Sequence, residues 1–225
     1  MAMMDTVRVL LSVSLITGFL TSWYALAANI TSFGGKEEII INSGDDIDLT
    51  CESSWPMNWT IPYIEDSVVE VNNSIKENPE FRHVSRLYLP NAQHYHTGFY
   101  KCYDEDNIMR EDSIYIYVKN ETYPFVQKDV LIYLPVHQYE TAVFDCRPNA
   151  PDIVVQLQTT TGEVLALGEN SEDGTKLEYD PKIGFTMHFV NNKQGGLYNC
   201  IAGENELMLL LQIMRMYHFV FCSKY

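Results

Sequence analysis

Three observations predict an all-β chain built as two tandem β-sandwiches. Gly98-Phe99-Tyr100-Lys101-Cys102 and Gly196-Leu197-Tyr198-Asn199-Cys200 place a glycine, a tyrosine and a cysteine at the same offsets twice. Each closing cysteine has an earlier counterpart, Cys51 and Cys146, at nearly the same separation. The residues leading into those earlier cysteines alternate between apolar and polar, as half-buried strands do. A chain of 225 residues suits two modules of about 90 residues better than one large core. The expected organisation is a signal peptide over 1–27, a first domain over 28–120, a second over 121–205, and a strand remnant with an atypical tail over 206–225.

The opening segment has a weak basic flank at Arg8, a mostly apolar stretch from Val9 to Leu20 and a small-x-small site at Ala25-Leu26-Ala27. It is too short to span a bilayer and has signal-peptide flanks, with cleavage expected after Ala27 or Ala28. A secreted or extracellular chain in an oxidising compartment is therefore expected, where cysteines pair. Four cysteines allow three pairings, and the repeat selects Cys51 with Cys102 and Cys146 with Cys200. Cys222 is left over, as a stray thiol or an intermolecular bridge. Sequons at Asn29, Asn58, Asn72 and Asn120 are the expected glycosylation sites. Lys plus Arg is 15 against 30 for Asp plus Glu, a net charge of −15. So acidic a surface repels phosphate backbones and excludes nucleic acid as a partner, while suiting a basic protein.

In the first module, Ile39 to Ile41 form an expected edge strand, closed by the Ser43-Gly44-Asp45 turn. Ile47, Leu49 and Cys51 face inward on the next strand. Trp59 follows Cys51 closely, as in an immunoglobulin domain, where a tryptophan packs on the inter-sheet disulfide. Trp59 is therefore expected inward and Asn58 outward. Leu87 and Leu89 face the core. Tyr100, two before the cysteine, fits a tyrosine corner. The aspartate common six before that cysteine is replaced by His96, and by Gln194 in the second module, so its usual buried salt bridge is expected to be absent. Asp104 to Asp106, with Glu111 and Asp112, read as a solvated acidic loop. Ile114, Ile116 and Val118 are expected inward, leaving Tyr115 and Tyr117 outside with Phe99 and Tyr103 as an aromatic ladder. That ladder either stiffens the sheet or forms a contact surface.

The second module begins past a short linker over Asn120 to Pro124. Ala142 to Cys146 alternates, and Val155 or Leu157 fills the volume where the first module has tryptophan. Phe185, Met187 and Phe189 share one expected face, with His188 outside. Past Ala202 the alternation fails. Leu207 to Ile213 offers a last strand of poor pattern, and its apolar run is well short of the roughly 20 residues of a membrane span. A truncated or alternatively terminated chain is expected there.

Leu87-Tyr88-Leu89-Pro90, Thr97 to Cys102 and Ile114 to Val118 resemble the first immunoglobulin domain of PDGF/VEGF receptors. Cys146-Arg147-Pro148, Pro151 to Val155 and Tyr179-Asp180-Pro181-Lys182-Ile183-Gly184-Phe185-Thr186 resemble their ligand-binding second domain. The resemblance covers about 36 to 203 and implies a growth-factor receptor ectodomain, either a fragment or a soluble decoy. Its implied partner is a dimeric cystine-knot growth factor of PDGF/VEGF type, with a receptor dimer partner as a further expected contact. Matched to the family's contact segments, Lys128, Val130 and Leu131 in one stretch and Gln158, Thr160 and Leu165 in another are the implied ligand-binding residues.

No nucleophile–base pair, kinase loop or metal-ligand spacing appears, so no enzyme, cofactor or metal is expected. His94 and His96 lack a third ligand and read as loop residues. The alternative function is an immunoglobulin-superfamily adhesion or recognition protein that uses the Tyr115–Tyr117 face.

Overall fold

The computed structural model describes residues 28–62, 68–77, 82–128, 131–169 and 174–214. The expected signal peptide, Cys222 and most of the tail lie outside those residues. The chain divides into two compact units. One holds Gly44–Asn91 and Phe99–Ile116 with the residues up to Ile39; the other holds Ile40–Ser43, Ala92–Gly98 and Tyr117 onward.

The first sandwich has strands β1 (Asn29–Ile30), β2 (Glu38–Asn42), β3 (Ile47–Ser53), β4 (Met57–Thr60), β5 (Glu70–Ile75), β6 (His83–Leu89), β7 (Gly98–Asp104) and β8 (Asn107–Lys119). They form two four-stranded sheets, ordered β1-β3-β6-β5 and β2-β8-β7-β4. Cys51 on β3 bonds Cys102 on β7, 51 residues apart in sequence, and so ties one sheet to the other. On β3, alternate residues from Ile47 to Ser53 are buried, because period-two chemistry places one side of the strand against the core.

The second sandwich has β9 (Leu131–His137), β10 (Ala142–Phe144), β11 (Gln156–Thr159), β12 (Gly168–Glu169), β13 (Lys176–Asp180), β14 (Gly184–His188), β15 (Gly196–Ala202) and β16 (Asn205–Met214). Its sheets run β10-β14-β13-β12 and β11-β15-β16-β9. Cys146 bonds Cys200, 54 residues apart. The core gathers Phe144, Leu157, Phe185, Met187, Tyr198 and the inward leucines of β16. Fully buried Leu157, opposite Cys200 in register, fills the place of a tryptophan. Gly184 starts β14 at φ +103°, where a methyl group would overlap the Phe144 carbonyl oxygen, so the glycine of the Asp180-to-Phe185 run is there for close backbone approach.

Both tyrosine-containing corners replace the missing aspartate with a local cap. Tyr198 Oη donates to the Gln194 carbonyl at 2.6 Å, and Gln194 Oε1 accepts the Asn191 N–H at 2.9 Å. His96, in a short 3-10 turn over His94–His96, accepts the Gln93 N–H on Nδ1 at 2.9 Å. Burial, with added repulsion from Lys128 and His94, pushes the His96 imidazole down to about 4.

Trp59 leans inward opposite Cys102 in register, with Asn58 exposed, and its indole N–H donates at 2.9 Å to Ser85 Oγ, the register partner of Cys51. Met57 joins it at the first disulfide, its sulfur 3.4 Å from Cys51 Sγ and 3.5 Å from Cys102 Sγ. Four expectations change. Tyr115 and Tyr117 are buried along with Ile114, Ile116 and Val118, so they form no exposed ladder; Tyr115 meets Phe99 edge to face at 4.8 Å. Asp104 is fully buried rather than solvated, paired with Arg110 at 3.3 Å and capping the Asp106 N–H at 3.1 Å. Phe189 leaves the core face: β14 ends at His188, and φ +58° at Phe189 turns its ring 62% into solvent. Finally, β16 is a full ten-residue strand in place of a remnant, bonded antiparallel to β15 and parallel to β9.

Candidate protein-binding face

The sheet β11-β15-β16-β9 has a filled side and an open side. Leu207, Leu209 and Leu211 of β16 point into the core, as do Tyr198, Cys200 and Ala202 of β15. The intervening residues must then project outward, because successive side chains on a strand alternate. Register decides who meets whom on that outer side. Leu131 lies opposite Met208, Met208 opposite Asn199, Asn199 opposite Gln158, and Gln158 bridges to Val164. Four strand spacings make this rung roughly 19 Å wide. A second rung runs Tyr133–Leu210–Leu197. Leu131 is 53% exposed and Tyr133 55%, so the apolar ends of both rungs stand in solvent. Leu197 and Val164 are exposed too. Apolar side chains held in solvent beside amides on one sheet face are what a partner protein covers.

The six residues implied by resemblance divide. Leu131 and Gln158, far apart in sequence, fall on one rung. Thr160 is exposed in the turn after β11. Leu165 donates its N–H to the Leu157 carbonyl at 2.9 Å and packs partly against the core, so it supports the face rather than presenting it. Lys128 is exposed, its ammonium 3.6 Å above the Tyr95 ring, a cation–π contact. Val130 lies outside the described residues. Tyr133, Leu197, Met208, Leu210 and Val164 were not singled out from sequence. Leu131 and Tyr133, two apart on β9, were a readable signal; the β16 residues gave none, because Leu207 to Leu211 is apolar throughout.

Among the described residues, no group of three or more His, Cys, Asp or Glu is arranged to hold a metal ion. No helix among them is long and apolar enough to cross a membrane.

Residues 33–128 match the family model of the N-terminal immunoglobulin-like domain of VEGF receptors 1–3. The chain is similar to mouse vascular endothelial growth factor receptor 1, at 29% identity over 87% of this chain and 15% of that protein. It is also similar to human platelet-derived growth factor receptor alpha, at 28% identity over 69% of this chain and 14% of that protein. The chain thus spans about one seventh of the length of these curated relatives. Among solved structures, a titin immunoglobulin tandem (domains A164-A165) aligns over 85% of this chain and 98% of its own, at 14% identity and a TM-score of 0.33. Among the described residues the chain carries immunoglobulin-like domains and no kinase domain. Its similarities are to the immunoglobulin-like domains of the PDGF/VEGF receptor family.

Proposed function

We propose that this chain captures a dimeric cystine-knot growth factor of the PDGF/VEGF type on the outer face of β11-β15-β16-β9. The observation that carries the reading is the rung on which register brings Leu131 and Gln158 together, beside the exposed Tyr133 and Leu197. A few buried aromatic and aliphatic anchors supply most of the binding energy in protein interfaces. The net charge of −15 adds attraction for a basic ligand. Released from cells as such, the chain sequesters ligand without signalling, as a decoy; within a longer receptor, it is part of the capture end. The adhesion alternative loses its surface, since Tyr115 and Tyr117 are buried.

The test is binding of the secreted chain to a panel of PDGF- and VEGF-type dimers by surface plasmon resonance, with Leu131→Asp and Tyr133→Asp as variants. A disrupted anchor weakens affinity by roughly 30-fold or more, the scale of a hot-spot residue. No binding across the panel, or binding indifferent to both variants, removes this reading.

A further inference from the structure

Three of the four sequons occupy three different sheet edges. The edges of the first sandwich are β1 and β5 in one sheet, β2 and β4 in the other. Asn29 is on β1, Asn72 on β5 and Asn58 on β4, and all three are exposed. Each points away from the core. Asn29 precedes buried Ile30, Asn58 follows buried Met57, and Asn72 pairs with exposed Arg86 while the next residue, Asn73, pairs with buried Ser85. We infer that N-glycans on Asn29, Asn58 and Asn72 guard these edges and prevent the first sandwich from pairing edge to edge with another copy of the chain.

An edge strand offers a row of unpaired N–H and C=O groups to any other strand. The edge at β1 is the shortest, two residues long with the Ile30 N–H already donating to Asp112 Oδ2 at 2.7 Å, and the edge at β5 is the most open of the three. All six of its residues are exposed, with Ile75 at 72% and Val71 at 48%. A strand adding there would lie about 5 Å away, within the space swept by a bulky glycan rooted on Asn72. The remaining edge, β2, begins beside the charged Lys36-Glu37-Glu38 run, another common shield.

The second sandwich has no sequon on its strands and closes its edges by other means. β12 is two residues long and β10 three. Pro135, which has no N–H to offer, sits within β9. The chain after β11 folds back so that Val164 bridges Gln158. Asn120 stands apart from this scheme: it lies on no strand, and its Oδ1 accepts the Thr122 and Tyr123 N–H groups.

The experiment uses the full chain secreted from glycosylating cells, with Cys222→Ser to exclude disulfide-linked species. Mass spectrometry maps occupancy at the three sites. An endoglycosidase then trims the folded protein to one sugar per site, and light scattering follows mass against concentration. The expected result is occupancy at all three asparagines, a monomer before trimming, a concentration-dependent shift to dimers and larger species after it, and return to monomer in the trimmed Ile75→Lys variant. An unoccupied site among the three, a trimmed protein that stays monomeric, or association that survives Ile75→Lys each overturns the inference. None of these readouts involves growth-factor binding, so this inference stands or falls separately from the proposed function.

Discussion

Strands β8 and β16 hold the same place in their sandwiches, each flanked by two neighbours in a four-stranded sheet. β8 buries five consecutive residues, Ile114 to Val118, so both of its sides are covered there. β16 buries Leu207, Leu209 and Leu211 and leaves Met208 and Leu210 half-open between them. β8 therefore spends Tyr115 and Tyr117 on internal packing, while β16 holds Met208 and Leu210 toward its outer side. Sequons follow the same division, since three lie on edge strands of the first sandwich and none lies on a strand of the second. A sandwich with no sequon on its strands and apolar side chains on one outer face is the better of the two for binding a protein.

The largest expected effect distinguishes the frames. Gly184→Ala places a methyl group on the Phe144 carbonyl and forces a side-chain-bearing residue to hold φ +103°. Strain and overlap together should cost more than about 3 kcal/mol. At the corresponding start of β6 the first sandwich has His83, a half-buried residue with no such requirement. Denaturant unfolding of Gly184→Ala should move the transition of the second sandwich sharply, with His83→Ala shifting the first by under about 1 kcal/mol. Equal shifts would mean that the close approach at Phe144 relaxes at no cost.

Much of this frame was legible in the residues. The inward faces of β3 and β6, and the glycine–tyrosine–cysteine runs of β7 and β15, combine alternating chemistry with fixed offsets, and both survive in the structure. The binding face was harder to read. In β8, Ile-Tyr-Ile-Tyr-Val alternates in residue type but not in burial; in β16, Leu-Met-Leu-Leu-Leu alternates in burial but not in type. Residue type reports burial only where one side of a strand meets water. Pairing register, which sequence does not display, had to place Leu131, Met208 and Gln158 side by side. Phe189 failed for a different reason: apolarity could not foresee a left-handed backbone at that position.

An intermediate effect separates the two corners by pH. His96 and Gln194 make the same kind of cap, yet only His96 titrates. Its folded pKa, about 4, is below the 6.5 of an exposed imidazole, chiefly because of burial, with Lys128 and His94 contributing. Between those values the unfolded chain binds the proton and the folded chain does not, so stability is complete above about pH 7 and falls as pH drops from 6.5 toward 4. The loss should reach about 2–3 kcal/mol at the acid end. His96→Gln borrows the cap of the other corner and should flatten that part of the stability profile, measured by denaturant midpoints across pH. A profile unchanged by His96→Gln would assign the acid sensitivity to other groups.

The smallest effect asks how much a corner owes to its hydrogen bond. Tyr198 does two things at once. Its ring lies edge-on to Phe144 at 5.0 Å, and its hydroxyl reaches the Gln194 carbonyl. Tyr198→Phe keeps the ring contact and gives up that bond, which should cost about 1 kcal/mol. Tyr198→Ala also empties ring volume from a core that closes around the disulfide, and should cost about 3–5 kcal/mol. The gap between the two variants, read from denaturant midpoints, measures packing against hydrogen bonding at one residue. Nearly equal losses would make the hydroxyl the organising contact of the corner. A wide gap would make it a trim on a ring that Phe144 already holds, and would explain how the turn before it tolerates histidine in one sandwich and glutamine in the other.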